Sequence, residues 1–263
     1  MEQDRNFVVT TSRRASSDIR AQARQKASDW KLPYFDRHDE TLVDVTGTFE
    51  AVFVYDHDGL GLSIGESNLK FNLGTAALRL QAISRGEPVT LIRVGEIQAN
   101  DRVLDATLGL GHDSIVAARA VGPKGSVVGI ESSWPLFTLI SEGLTQYDSG
   151  DESSDVQPVF DDSRSYLANA DADSFDVVIL DPMFSIPKRS DGSFEVLRKF
   201  ASPAGLDPDW IQMARRVAKR WVVVKTDYEK DWFSSEGLER VPSGGSVNWF
   251  RAPVLSELSV GVE

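Results

Sequence analysis

The chain of 263 residues contains no cysteine. Disulfides, cysteine-based metal sites and any thiolate nucleophile are therefore excluded. Histidine is nearly as scarce: His38, His57 and His112 are scattered and lack ligand spacing, so no metal is expected. No run of about 18 apolar residues is present to span a bilayer. The opening Met1-Glu-Gln-Asp-Arg-Asn6 lacks the basic-then-apolar pattern of a secretion signal, so the expectation is a cytoplasmic protein with no membrane partner. Positive charge is in deficit too: 28 Lys/Arg against 40 Asp/Glu leave a net charge of −12. That balance argues against indiscriminate nucleic-acid binding, which needs basic surface to neutralise phosphates.

What basic charge there is lies in two segments. Residues 185–230 carry ten Lys/Arg against six Asp/Glu, and residues 10–31 carry six against two. Arg215, Arg216, Lys219 and Arg220 read as an exposed helix face. Acid is concentrated between Asp148 and Asp162, with six carboxylates and no base.

Three regions follow from the patterning: a small α+β module over 1–70, a linking helix and connector over 71–100, and an α/β domain over 101–263. In the module, Phe7–Thr10 reads as a strand and Ser16 or Ser17 with Asp18 as the cap of a helix running to Trp30. Phe49–Tyr55 and Leu60–Ile64 flank Asp56-His57-Asp58-Gly59, whose Asp-Gly pair favours a hairpin turn. Leu73, Ala76, Ala77, Leu80 and Ile83 predict an amphipathic linking helix, while Val89–Ile97 has no clear type. From Asp101 onward, apolar runs alternate with helical patterns, which predicts a Rossmann-like, mostly parallel sheet with right-handed crossovers. Val247–Phe250 adds a final antiparallel strand.

Two stretches carry chemistry. The first is Val103-Leu-Asp105-Ala-Thr107-Leu-Gly109-Leu-Gly111-His112-Asp113, a strand, a glycine turn and a helix start. Glycines let backbone amides approach a ligand closely, and the helix offers its positive end. His112-Asp113-Ser114 follows Gly111, so the third glycine of a nicotinamide fingerprint is missing. Carboxylates at the strand end and in the turn suit a cationic, amino-acid-bearing ligand, and S-adenosylmethionine (SAM) has both an ammonium and a sulfonium. Glu131 ends the next strand, where an acid can accept from two ribose hydroxyls. Asp161, Asp162 and Ser163 end the third strand and are in place to reach an adenine amine; they are also ordinary loop composition.

The second stretch is Asp181-Pro182-Met183-Phe184, which closes the apolar run Phe175–Leu180. A carboxylate, a rigid proline and an aromatic ring at a strand end suit the holding of a flat, amine-bearing ring. The two stretches together predict a SAM-dependent methyltransferase. The missing cysteine excludes the pyrimidine C5 chemistry that needs a covalent thiol adduct.

The segment from Val103 to about Lys230 resembles the small-subunit ribosomal RNA guanine-N2 methyltransferase family. The resemblance rests on Asp105-Ala-Thr107-x-Gly109-Leu-Gly111-x-Asp113, on Leu180-Asp181-Pro182-Met183-Phe184 and on Arg220-x-Val-Val-Val-Lys225, in the family's order. It implies a seven-stranded Rossmann-like domain, SAM as cofactor, and a site lined by His112, Asp113, Glu131, Ser132, Asp162, Ser163 and Asp181. His112, Ser132 and Thr226 stand where the family has basic residues. The opening module looks closer to uncharacterised bacterial methyltransferases of the same superfamily.

The chemistry expected is transfer of the sulfonium methyl to an exocyclic amine, with Asp181 and the Pro182 carbonyl accepting the amine hydrogens and Phe184 stacking on the base. Lys188, Arg189 and Lys225, with Arg13 and Arg14 of the small module, are the candidate phosphate contacts. RNA or the small ribosomal subunit is the expected partner. DNA adenine, a protein side chain or a small metabolite would meet the same geometry, and a non-catalytic cofactor-binding assembly module is the rival of a different class. The oligomeric state stays open, a dimer among the options.

Overall fold

In chain order the first elements are β1 (Phe7–Thr11), α1 (Ser17–Trp30), α2 (Leu42–Thr46), β2 (Ala51–Asp56), β3 (Gly59–Ile64) and β4 (Ser67–Lys70). Then come α3 (Gly74–Ser84), α4 (Thr90–Gly95), β5 (Arg102–Asp105), α5 (His112–Val121), β6 (Ser126–Glu131), α6 (Trp134–Gln146), β7 (Val156–Phe160) and α7 (Ser163–Asn169). The last are β8 (Phe175–Leu180), α8 (Gly192–Phe200), α9 (Pro208–Val217), β9 (Ala218–Thr226), α10 (Trp232–Ser235), β10 (Glu239–Val241) and β11 (Asn248–Pro253). This computed structural model describes residues 6–38, 40–183, 192–202, 205–244 and 247–254. Among them no helix is long and apolar enough to cross a membrane.

Two compact units emerge. One comprises Met1–Asn72, Thr138–Gln146 and Lys188–Phe200; the other comprises Leu73–Phe137, Tyr147–Pro187 and Ala201–Glu263. The first holds a four-stranded sheet in the order β1-β2-β3-β4, with β1 parallel to β2 and the other pairs antiparallel. Ser16 caps α1 by accepting the Ile19 N–H at 3.3 Å. The predicted hairpin forms with Asp56 opposite Gly59, whose φ of +104° is open to glycine. Its tip gathers Asp56, His57 and Asp58, and Lys70 Nζ is held 2.6 Å from the Asp56 carboxylate. Of this unit's elements, sequence reading missed β4, α2 and α8. In the last of these, Ser193 donates to the Asn68 carbonyl at 3.1 Å and Lys199 to the Glu50 carbonyl at 3.0 Å.

The second unit holds the expected seven-stranded sheet, in the order β10-β11-β9-β8-β5-β6-β7. β7, β6, β5, β8 and β9 run parallel, and β11 returns antiparallel beside β9. Val177 to Leu180 of β8 are fully buried, as a central parallel strand covered on both faces requires. The core on one face joins Leu104, Val178 and Leu180 to Trp210, Ile211 and Ala214 of α9. Asp207 caps α9 by accepting the Trp210 N–H at 2.9 Å, with Pro208 in the first turn.

Two readings need correction. The connector at Val89–Ile97 contains a helix, α4, with Leu91 and Val94 fully buried. Of the basic residues expected on an exposed helix face, Arg216 and Lys219 are exposed and Arg215 and Arg220 half-buried; Lys219 and Arg220 belong to β9, and the three arginines also act as tethers. Arg215 donates to the Pro253 and Glu236 carbonyls, Arg216 to the carbonyls of Leu167, Ala168 and Ala170 at the end of α7, and Arg220 to Asp101.

Candidate active site

After β5 the chain builds β6 and β7 to one side, then β8 and β9 to the other, so β5 and β8 bound the switch in strand order. Ligand crevices in open α/β sheets form at such a switch, outside the carboxyl ends of the strands. Asp105 ends β5 and Asp181 directly follows β8. The turn between β5 and α5 is stitched to both neighbours: Ala106 N–H donates to Ile179 O at 3.0 Å and Leu108 N–H to Ile130 O at 2.9 Å. Gly109 and Gly111 have φ of +50° and +75°, which disfavours any side chain there.

Asp105 is buried. Its Oδ2 accepts from Ser114 Oγ at 2.6 Å and its Oδ1 from the Thr107 N–H at 3.1 Å. Burial pushes its carboxyl up to about 6, against the Ser114 bond and with help from the Asp113 charge. Thr107 Oγ accepts the Asp181 N–H at 2.7 Å, so one residue of the glycine turn fixes the start of the Asp-Pro motif. Glu131, also buried, accepts the Gly109 N–H at 3.1 Å and the Ser133 N–H at 2.8 Å, one on each oxygen. Burial raises it to about 7 despite those bonds.

On the β8–β9 side, Lys225 Nζ lies 2.5 Å from Asp181 Oδ2 and 2.9 Å from Asp113 Oδ2. The second oxygen of Asp113 pairs with Arg79 of α3. Burial works to raise Asp113, but Lys225 and Arg79 outweigh it and hold its carboxyl well below the usual range. Asp181 is pushed up to about 7 by burial, which Lys225 opposes and the charges of Asp113 and Asp105 reinforce. Burial alone would lower Lys225; its two carboxylate partners raise it instead.

The structure thus brings together Asp105, Thr107, Gly109, Asp113, Glu131, Asp181 and Lys225. Gly111 and His112 stand at the start of α5, Ser132 is exposed beside Glu131, and Pro182 is buried. Asp162 caps α7, accepting the Ser165 N–H at 2.9 Å, and Ser163 Oγ accepts from the Trp210 indole at 3.1 Å. Lys225 presents no free ammonium, since two carboxylates share it. Arg13 and Arg14 lie exposed in the first unit, where Arg13 donates to the Glu40 carbonyl at 3.2 Å. Phe184, Lys188 and Arg189 fall outside the described residues.

Three participants escaped the sequence reading. Ser114 holds Asp105, Arg79 holds Asp113, and Ser133 contributes a buried hydroxyl with no partner among the described residues. Arg79 sits one helical turn after the fully buried Ala76, so a cation on the inward face of α3 was the available signal.

Charge decides what the crevice can hold. Four carboxylates, the buried Asp105, Asp113 and Glu131 and the half-buried Asp181, face two cations among the described residues, Lys225 and Arg79. Asp105 and Glu131 are raised towards neutrality because burial disfavours an ion with no cation bonded to it, and Asp181 because burial and the charges of Asp113 and Asp105 outweigh its partner Lys225. A ligand bearing positive charge beside hydroxyls, with open glycine backbone to approach, fits the β5–β6 side, and the orphaned Ser133 hydroxyl adds a group for it to bond. SAM meets each of these demands; Asp105, Gly109, Gly111, Glu131 and Ser133 are the residues that would hold it.

Comparison with known proteins agrees. A family model described as "Putative SAM-dependent methyltransferase" matches residues 36–239. The chain is 30% identical to the uncharacterised protein YpiP of Bacillus subtilis, over 88% of this chain and 93% of that one. It is 31% identical to ribosomal RNA small subunit methyltransferase J of Thioalkalivibrio sulfidiphilus, over 81% and 85% of the two chains. A SAM-dependent methyltransferase from Neisseria gonorrhoeae shares the fold, with a TM-score of 0.61 at 18% identity over 97% of this chain and 99% of that one. With a family model spanning most of its length and a crevice short of positive charge, the chain belongs to the SAM-dependent methyltransferase family and is an enzyme that uses S-adenosylmethionine.

Proposed function

We propose that this methyltransferase acts on the exocyclic amine of a guanine in small-subunit ribosomal RNA. The observation that carries the reading is the Asp181 carboxylate, half-buried just after β8, held at one oxygen by Lys225 and engaged at the other by no described residue. The relatives called ribosomal RNA small subunit methyltransferase J supply the substrate class, at 31% identity over 81% of this chain for one and 30% over 74% for another.

When bound, SAM supplies an electrophilic methyl group. Asp181 and the Pro182 carbonyl then accept the two amine hydrogens and align the nitrogen lone pair, which is otherwise delocalised into the base. Positioning of this kind lowers barriers by roughly 7–11 kcal/mol in intramolecular models. Phe184, three residues after Asp181 in the chain, provides a ring for stacking on the base, worth about 1–3 kcal/mol. The target nucleotide must be unpaired or extruded for its edge to be reached.

The test is transfer of labelled methyl from SAM to small ribosomal subunits from cells lacking this protein, followed by nucleoside analysis. Label in N2-methylguanosine that vanishes with Asp181→Ala supports the reading. Label confined to adenine, to protein or to a metabolite overturns it, and SAM binding without transfer to any acceptor supports a binding module instead.

A further inference from the structure

The acceptor carboxylate is one end of a row of four alternating charges. Arg79, steadied by Nε and Nη2 bonds of 3.3 and 3.2 Å to the Thr75 carbonyl and hydroxyl, pairs with Asp113 Oδ1. Asp113 Oδ2 meets Lys225 Nζ, which meets Asp181 Oδ2. Lys225 is covered by the ring of buried Trp249 on β11, 5.7 Å from its ammonium. This half-buried cation has exchanged much of its water for two carboxylates, and breaking such an arrangement on one side leaves a largely desolvated charge uncompensated.

Lys225 has Asp113 on α5 and Asp181 after β8 about it; Asp181 has Lys225 on β9, Asp113, and Asp105 on β5. Among the described residues, every influence on Asp181 other than Lys225 and its hydrogen bond drives the carboxyl towards its protonated form. A protonated Asp181 would set an O–H donor where a carboxylate oxygen is needed to accept from the amine's hydrogens.

Resting on the acceptor role assigned to Asp181 above, we propose that Lys225 is a positioning residue for methyl transfer. Clamped between Asp113 and Asp181, it favours the ionised form of the Asp181 carboxylate and occupies Oδ2, leaving Oδ1 for the amine, while Arg79 anchors the far end of the row. Its ammonium is therefore assigned to the acceptor carboxylate and not to a substrate phosphate.

The decisive experiment titrates the aspartate carboxyl carbons of the ligand-free full-length protein by NMR, with the Asp181 signal assigned by its loss in Asp181→Asn. Lys225→Met is expected to raise the Asp181 midpoint by about 1–3 units, the range by which a neighbouring opposite charge moves a carboxylate. Arg79→Met is expected to move it in the same direction by less. In the transfer assay, the acidic limb of the kcat profile moves up with the midpoint, and the KM for SAM changes by less than about threefold. A Lys225→Met protein that melts lower while its Asp181 midpoint stays put gives the lysine a purely structural role and overturns the proposal. Should that variant not fold, an unmoved midpoint in Arg79→Met does the same. The carbon titration uses no acceptor, so failure of the guanosine assay with the wild-type protein strikes the substrate reading alone.

Discussion

The two sides of the crevice handle buried charge in opposite ways. On the β5–β6 side, Asp105 and Glu131 are satisfied by hydroxyls and backbone amides, and among the described residues no cation bonds to either. On the β8–β9 side, Asp113 and Asp181 share Lys225, and Arg79 completes the row. The first side is short of a positive charge and the second carries its own. A site of the first kind binds a cation well, because the ligand relieves a penalty that the fold already bears. One of the second kind suits a neutral group, for which a carboxylate already paired presents a directed acceptor. It is the contrast that the proposed reaction requires, with a cationic methyl donor on one side and an uncharged amine on the other.

Substitution on the acceptor side should give the largest effect and divide the two functions most cleanly. Asp181→Ala is expected to reduce methyl transfer to background while leaving SAM affinity within about tenfold, as measured by single-turnover transfer and calorimetry. Equal loss of both would reassign Asp181 to the donor and erase the contrast. Glu131→Gln is expected to do the reverse. It removes an ionised acceptor, so SAM should bind more weakly by about 1.5–3 kcal/mol, the worth of hydrogen bonds to charged groups, with kcat at saturating SAM little changed.

The contrast also has a pH signature. Burial raises Asp105 from 3.8 to about 6 and Glu131 from 4.5 to about 7, and Asp181 from 3.8 to about 7. Between about pH 4 and 7 the folded, ligand-free protein therefore holds protons that the unfolded chain has released, and its stability falls as pH rises. The paired groups do not cancel this trend. Asp113, held low, loses its contribution only below the ordinary carboxylate range, and Lys225, held high, keeps its own until above 10.5. Thermal melts from pH 5 to 8 should show a declining midpoint without SAM and a SAM-induced increment that grows with pH. SAM affinity should tighten over the same interval, about tenfold for each unit by which the bound cation lowers a carboxyl's pKa. A pH-independent increment would mean that the β5–β6 carboxylates are already ionised and that the two sides do not differ.

How much of this was legible before any coordinates depended on whether a feature is local. The run Phe175–Leu180 closing on Asp181-Pro182 marks a buried parallel strand and its exposed end, because four apolar residues in succession and a proline leave few alternatives. Asp105, the glycine turn and Glu131 were legible for the same reason, each lying at a strand end in register with the next. Pairing across long stretches was not. Arg79 precedes Asp113 by 34 residues, and Lys225 follows it by 112. Nothing in spacing joins such groups until the sheet order does. Short helices were also missed. α7 buries Leu167 alone, and α8 signals itself chiefly by Val196 and Phe200, four residues apart in a segment read for its charge.

The smallest expected effect concerns Asp162, where one residue answers to two descriptions. As the cap of α7 it accepts the Ser165 N–H, while as a strand-end acid it was expected to reach an adenine amine. The cap is local and exposed, and replacing a capping Asp by Ala typically costs about 1 kcal/mol of stability. Asp162→Ala should therefore lower the unfolding free energy by that amount and leave SAM affinity nearly unchanged. Asp162→Ser, which retains a capping oxygen but not the carboxylate, should recover most of the loss, since Ser caps about as well as Asp. A fall in SAM affinity of tenfold or more in both variants, with stability restored only in the second, would show that the carboxylate serves the cofactor as well as the helix. The cation-deficient side of the crevice would then reach as far as β7.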